Sequence, residues 1–292
     1  MSDLLSPPFI RRLERLGIRV RRAFAGRMQG ERRSTKRGIS VEFADYREYI
    51  SGDDPRYIDW NAAARMDRLY LKLYVEEEDL SVHFLVDTSA SMGFGNPPKL
   101  EFAKRCAAAL AYVGLANLDR VTIVPYAAEQ QEKLGPERGR ANIFKLLKFL
   151  DGIAPSGQTS LTSTVKSFLA RNPRRGPIFV VTDFLDPAGW EKPLAQLAHS
   201  GFQPMVVHIL APEELDPQDA DDVRFIDAET GTAVDLSLNA SVVRAYRARV
   251  EGFRKEVESW CTKHAMAYAF AASDADFEEF VFRTLREVML EA

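Results

Sequence analysis

The chain has 292 residues with 46% hydrophobic content, enough for one large domain or a domain with a smaller appendage, which excludes disorder as the dominant state. No apolar run approaches the roughly 18 residues that a membrane helix needs. The opening Met1-Ser2-Asp3-Leu4-Leu5-Ser6-Pro7-Pro8 also lacks the charged and apolar regions of a signal peptide. Cys106 and Cys261 are far apart in sequence, so neither belongs to a metal knuckle or redox pair, and the expected compartment is a reduced cytoplasm. A formal net charge of −3 conceals an asymmetry: residues 1 to 38 hold 11 basic and 3 acidic residues, a local +8, leaving −11 for the remainder. Such an arm suits nucleic acid or anionic lipid, but docking on its own acidic body or on a protein partner is the preferred reading.

Phe9, Leu13, Leu16, Val20 and Phe24 recur at helical spacing, with Arg11, Arg12, Arg15, Arg19 and Arg22 on other faces and a capping start at Ser6-Pro7. This basic amphipathic helix is read as packing its apolar stripe on the main domain, with membrane-surface attachment as the alternative. Gly26 to Gly38 reads as a loop. Val41 to Trp60 mixes short apolar pieces with a turn at Ser51-Gly52-Asp53-Asp54-Pro55. Arg47, Asp53, Asp54, Arg56, Asp59 and Arg65 are expected to form a structural ion-pair network around Trp60, because the arginines would keep those acids ionised and unfit as proton donors. Leu69 to Val75 alternates like a strand. Residues 1–80 are thus a basic helix and extension ahead of a main domain at 81–292.

From Ser81 apolar strands alternate with amphipathic helices, the pattern of a doubly wound, mainly parallel α/β sheet. The expected strands are Ser81 to Val86, Val121 to Tyr126, Pro177 to Asp183 and Met205 to Leu210, with a short one at Ala267 to Phe270. The expected helices are Lys99 to Asn117, Asn142 to Leu150, Leu161 to Leu169, Trp190 to His199, Val242 to His264 and Phe277 to Leu290. Phe225 to Asp227 and Ala233 to Leu236 read as a hairpin near the sheet edge.

The chemistry concentrates in Asp87-Thr88-Ser89-Ala90-Ser91, directly after the first buried strand. In extended backbone alternate side chains share a face, so Asp87, Ser89 and Ser91 turn one carboxylate and two hydroxyls toward a common point. Asp183 ends another strand of the same sheet, and Thr159 lies in the polar loop Pro155-Ser156-Gly157-Gln158-Thr159-Ser160 that opens a helix. Functional groups in doubly wound sheets gather at the carboxyl ends of the strands, so these five residues share one rim. Oxygen donors suit a hard cation, Mg2+ or Mn2+. The competing structural reading is that Asp87 and the serines only cap the following helix and satisfy turn backbone.

Asp87-x-Ser89-x-Ser91, Thr159 in a Gly-x-Thr loop and Asp183 after an apolar strand resemble the metal-ion-dependent adhesion site of von Willebrand factor type A domains, over roughly residues 80 to 290. More narrowly, Gly38, Glu42-Phe43, Arg47-x-Tyr49, Gly52-Asp53-Asp54-Pro55-Arg56, Ile58-Asp59-Trp60, Ala64-Arg65 and the Asp-Thr-Ser-Ala-Ser-Met string look like the bacterial domain of unknown function 58 family. Many members of that family carry membrane helices ahead of this region, and this chain is similar to the short soluble ones. The resemblance implies that Ser89 and Ser91 are direct metal ligands, Thr159 a direct or water-bridged one, and Asp87 and Asp183 acceptors for metal-bound water. It also implies a working association with MoxR-type AAA+ ATPases. Many adhesion sites follow the loop threonine with Asp or Asn, whereas Ser160 stands here.

A strand-tip Asp also serves aspartate-nucleophile phosphatases, so Mg2+-dependent phosphoryl transfer or hydrolysis using Asp87 is the alternative. Those enzymes need a second acid two residues on, where this chain has Ser89. No phosphate-binding Gly-rich loop or Gly-x-Ser-x-Gly appears, and His83, His199, His208 and His264 form no spaced ligand set. The expectation is a binding module in which a partner's Asp or Glu completes the shell of a metal held by Asp87, Ser89, Ser91, Thr159 and Asp183.

Overall fold

The computed structural model describes residues 4–6, 8–13, 43–50, 52–66, 68–74, 80–127, 132–217 and 220–290. Leu16, Val20 and Phe24 of the first helix, the 26–38 loop, and Gly38 and Glu42 of the family motif lie outside them. The chain divides into two compact units, one of residues Met28–Asp79 and one that joins Met1–Arg27 to Leu80–Ala292.

In the smaller unit β1 (Phe43–Glu48) pairs antiparallel with β2 (Tyr70–Tyr74), and helix α2 (Trp60–Met66) lies between them in sequence. The label α1 belongs to helical residues 8–13 of the other unit. Asp54 caps the 3-10 turn Pro55–Tyr57 by accepting from the Arg56 NH, and pairs with the Arg56 guanidinium at 2.6 Å. Arg47 pairs with Asp53 at 2.8 Å. Asp59, buried, accepts from the Tyr46 hydroxyl at 2.8 Å and from the Asn61 NH at 2.9 Å. The expected salt-bridge and hydrogen-bond network is present in these contacts, but it does not enclose Trp60, which is 66% exposed. Asp59 commits a carboxylate oxygen to the start of α2, and Trp60, as the first residue of that helix, faces outward.

In the larger unit the elements run β3 (Ser81–Asp87), α3 (Lys99–Ala116), β4 (Arg120–Tyr126), β5 (Leu134–Arg138), α4 (Ile143–Asp151), α5 (Leu161–Ala170), β6 (Pro177–Thr182), α6 (Glu191–His199) and β7 (Gln203–Leu210). They continue with α7 (Pro212–Leu215), β8 (Ala220–Ile226), β9 (Ala233–Leu238), α8 (Ala240–Lys263), β10 (Ala267–Ala272) and α9 (Phe277–Leu290). Six strands form one sheet in the order β10-β7-β6-β3-β4-β5, parallel throughout except for β5 on β4. This is the doubly wound, mainly parallel sheet that the alternation of strand and helix patterns implies.

The central strands are apolar on both faces because both are covered. All seven residues of β3 are buried. One face carries Leu85, Ile178, Val180 and Val206, packed with Val165 and Phe168 of α5, Leu194 and Leu197 of α6, and Val257 and Cys261 of α8. Phe84 belongs to the opposite face by strand alternation and stacks on Phe179, ring centroids 4.9 Å apart.

Two expectations change. The hairpin read as lying near the sheet edge is a separate two-stranded sheet of β8 and β9, because β10 occupies the edge beside β7. Strand β5, which is not among the expected strands, carries Gly135-Pro136, a dipeptide at home in turns. The dipeptide is tolerated because β5 is an antiparallel edge strand with an irregular register against β4.

The first helix settles on its own chain through its described residues. Phe9 and Leu13 are buried, and the Phe9 ring lies 5.3 Å from Phe277 and 5.5 Å from Phe282 of α9. Arg12 sits over the Phe282 ring at 4.3 Å and pairs with Glu278. At Arg12 the basic arm thus meets an acid of the main body, and the apolar stripe meets aromatic surface. Truncation in Phe9→Ala is expected to lower unfolding free energy by about 3–5 kcal/mol, read by chemical denaturation of the full chain. A loss below about 1 kcal/mol would show that this helix contributes little to the core.

Candidate metal centre

The sheet order reverses its direction of growth at β3: the first crossover, through α3, places β4 on one side, while β6, β7 and β10 accumulate on the other. At such a point the loops diverge and leave a crevice at the carboxyl ends of the strands. Asp87 is the last residue of β3 and Asp183 follows the last residue of β6. The register pairs Val86 with Val181, which sets Asp87 beside Thr182.

Backbone bonds hold the loops in place. The Thr88 NH donates to the Tyr126 carbonyl at 2.9 Å, the Ser156 NH to the Thr88 carbonyl at 2.8 Å, and the Ala90 NH to the Gly157 carbonyl at 2.8 Å. The last contact uses Gly157 at φ +71°, a left-handed conformation that a side chain would disfavour. The 155–159 loop is thereby tied to the segment that carries Ser89 and Ser91.

All five expected residues meet. Asp87 is fully buried; its Oδ1 accepts from the Ser89 NH at 2.9 Å, and its Oδ2 accepts from Thr182 Oγ1 at 2.7 Å and Thr159 Oγ1 at 3.1 Å. Ser89 Oγ and Ser91 Oγ are 3.1 Å apart, and Ser91 Oγ donates to Asp183 Oδ2 at 2.8 Å. An unbroken chain of contacts therefore runs from Thr159 through Asp87, Ser89 and Ser91 to Asp183. Of the structural alternative, the helix cap is not formed, since Ser89 makes no side-chain cap bond to the 3-10 turn Ala90–Gly93 and α3 starts only at Lys99, but Asp87 does satisfy turn backbone by accepting from the Ser89 NH.

The donors fit a small hard cation. An octahedral ion with oxygens at about 2.1 Å sets adjacent oxygens about 3.0 Å apart. The Ser89–Ser91 and Ser91–Asp183 separations of 3.1 and 2.8 Å lie close to that spacing. Among the described residues no group of three or more His, Cys, Asp or Glu gathers as a metal site, so the candidate here rests on hydroxyls as much as on acids. Burial first, and the charge of Asp183 second, push the Asp87 carboxyl up to about 6, against the lowering effect of the Ser89 and Thr182 donors. A cation in the crevice would relieve both causes.

The structure adds residues that the sequence reading missed. Lys99, the first residue of α3, is fully buried and donates to Asp183 Oδ2 at 2.7 Å and to Glu214 Oε1 at 2.6 Å. Burial opposes the Lys99 charge, yet Asp183 and Glu214 outweigh it and hold the ammonium above its ordinary pKa. Glu214 Oε2 accepts from the Ala211 NH at 2.7 Å. A signal for Lys99 existed: a cation directly after Pro97-Pro98, at the start of an apolar helix, opposes the helix dipole and calls for nearby acids. Glu229, in the turn between β8 and β9, accepts from the Thr159 NH at 3.1 Å, a tertiary contact with no local signature.

Three of the histidines pack away from the crevice, whereas His208 is registered beside Thr182 and interacts with Asp183. His83 Nε2 lies 2.9 Å from the Arg174 carbonyl, with its ring against Phe168 and Phe202. His208 Nδ1 lies 3.0 Å from the Tyr268 hydroxyl, and burial pushes its pKa down to about 4. His199 and His264 are exposed and contact backbone carbonyls of their own helices.

Known proteins resemble this chain in part or over most of its length. An uncharacterized protein of Mycobacterium tuberculosis is 24% identical over 261 residues, covering 88% of this chain and 82% of the relative. The solved structure of the conserved hypothetical protein BatB from Bacteroides thetaiotaomicron matches 73% of this chain and 100% of its own at 19% identity, with a TM-score of 0.43. Proximal thread matrix protein 1 from the mussel byssus, solved with a zinc-occupied MIDAS motif, matches 45% of this chain and 38% of its own at 17% identity, with a TM-score of 0.35. The zinc is a property of the mussel protein, and these partial overlaps add nothing to the sheet order above. The model of the family described as "Protein of unknown function DUF58" matches residues 45–256, most of the chain, and the protein therefore belongs to that family.

Proposed function

We propose that the chain is a metal-dependent protein-binding module of the von Willebrand factor A kind, with Mg2+ or Mn2+ at the β3–β6 crevice. The observation that carries this reading is the contact chain from Thr159 to Asp183, which brings three hydroxyls and two buried carboxylates to one strand-tip rim. Ser89, Ser91 and Thr159 would hold the ion, with Asp87 and Asp183 accepting from its waters. The bound ion would supply a coordination position that a partner's Asp or Glu completes. Charge accounting favours an acidic partner: acids that act through water leave the ion much of its charge. The loops from Ser91 to Lys99 and from Ser156 to Thr159 are the segments that adjust as the partner acid enters.

The same geometry supports binding over catalysis. Asp87 is held by donors from Ser89, Thr159 and Thr182, and no general base or second acid is in direct contact with it in the contact chain described above. Ser89 stands where a phosphatase needs its second acid. A MoxR-type AAA+ ATPase is the proposed partner, on the family resemblance of the motifs at 47–65 and 87–92, with the cytoplasm as the proposed setting. Among the described residues no helix is long and apolar enough to cross a membrane.

Titration calorimetry of the purified chain is expected to show Mg2+ or Mn2+ binding, abolished in Asp87→Ala with circular dichroism unchanged. A wild type that binds neither ion would sink the proposal. Co-purification with a MoxR-type ATPase is expected to be lost with EDTA and in Asp87→Ala; an association indifferent to both would take the metal out of that interface. Metal-stimulated phosphate release from a substrate panel would instead establish the phosphoryl-transfer alternative.

The raised Asp87 pKa also fixes the sign of the pH dependence. A carboxyl lifted from 3.8 to about 6 contributes stability that is complete below its unfolded value and lost as pH rises through 6. Metal-free protein is thus expected to lose up to roughly 3 kcal/mol from this group between pH 4 and 7, a loss absent in Asp87→Asn. Metal affinity should run the opposite way, weakening as pH falls through about 6. Denaturation midpoints with EDTA, and calorimetry with Mg2+, across that range test both signs.

A further inference from the structure

We infer that Lys99 is a resident counter-cation of the metal centre, competing with the metal for Asp183 and thereby setting its affinity. The inference rests on the metal-site reading above and deepens it. Its basis is the load on one atom. Asp183 Oδ2 accepts from both Ser91 Oγ at 2.8 Å and Lys99 Nζ at 2.7 Å, while Oδ1 accepts from the Leu185 NH at 3.1 Å. The oxygen that faces Ser91, and so the metal side of the crevice, already holds a full positive charge.

Lys99 is costly where it stands. It is fully buried, and it is the first residue of α3, where the helix dipole repels a cation. A lysine in that position is retained only with acids to hold it, and two converge on it: Asp183 from the β6 tip and Glu214 from α7. Glu214 is itself fixed from behind by the Ala211 NH at 2.7 Å. The ammonium thus stays on the Asp183 oxygen in a built position, not as a roaming surface charge. A divalent ion that draws on Asp183, directly or through water, must share that oxygen with it. The ion is then held less tightly and keeps more of its charge for a partner's carboxylate.

The lysine and its glutamate can be removed together without changing local net charge, which isolates the competition from simple electrostatics. Breaking a buried pair by taking one partner is strongly destabilising, whereas replacing both is often neutral. Lys99→Met/Glu214→Gln leaves Asp183 with its Ser91 and Leu185 donors and the Ala211 NH with an amide oxygen to meet. Calorimetric titration of the full chain with Mn2+ and Mg2+ is expected to show binding tighter by on the order of tenfold than in wild type. Lys99→Met alone is expected to shift affinity in the same direction and to show a larger rise in unfolding midpoint on adding metal. Should the single variant fold only with metal, the ion is replacing the lost charge, as the inference requires.

A folded double variant whose metal affinity equals or falls below that of wild type overturns the role of Lys99 while leaving the site reading intact. Metal binding by the double variant but not by wild type upholds Lys99 as the resident cation and overturns the metal-dependent function of the native chain. Binding by neither overturns both.

Discussion

Two carboxylates with no solvent around them, at the tips of adjacent parallel strands, set the terms for this molecule. Asp87 and Asp183 are fully buried on neighbouring strands, and burial together with the charge of Asp183 raises the free energy of ionising Asp87. A fold does not retain such a pair unless donors and positive charge are arranged around it. Every unusual feature of the crevice answers that demand. Thr159 and Thr182 donate to Asp87, the 89 and 185 amides turn inward, and Lys99 reaches across from the start of α3.

The surrounding sheet makes the arrangement possible and explains its position. Parallel pairing of β3 with β6 aligns the two strand tips, and the apolar side chains of both strands lock that register from two faces. Because β4 lies to one side of β3 and β6 to the other, the loops after β3 and β6 leave the sheet without a covering connection between them. The 155–159 loop then closes a third side through its bonds to Thr88 and Ala90. The polar site is therefore as strongly determined as the hydrophobic layers beneath it.

Much of this was legible in the sequence, and the omissions have physical causes. The strands at 81–86 and 177–183 announce themselves as apolar runs ending in Asp, because a strand buried on both faces has no reason to alternate. Asp87, Ser89, Ser91 and Asp183 follow from strand-tip placement and the spacing of two, and Thr159 from the polar, glycine-containing loop that opens a helix. Strand β5 escaped because an edge strand tolerates Gly135-Pro136, and edges impose the weakest composition. The hairpin at 220–238 was recognised but misplaced, since local pattern fixes a pairing and not which sheet edge is vacant. The charges around the 51–59 turn were legible as a network, whereas the exposure of Trp60 depends on which face of α2 is covered, which local charge does not encode. Lys99, Glu214 and Glu229 come from three segments far apart in sequence and meet only through the fold.

Lys99 also bears on how a metal-dependent module behaves when no metal is bound. Many small metal sites couple the ion to folding, because their acids cannot be left together without it. Here an internal ammonium partly neutralises the pair, so the crevice keeps its shape through protein contacts alone. On the proposed reading metal and partner would act on a site already built, and the free energy of binding would go into affinity for the partner instead of into ordering the chain. On the proposed reading the same ammonium would weaken the hold on the ion, so that firm binding would need a partner's carboxylate to complete the shell. Binding that needs both ion and acid is reversible by withdrawal of either, which is the behaviour an adaptor requires and a structural metal site lacks.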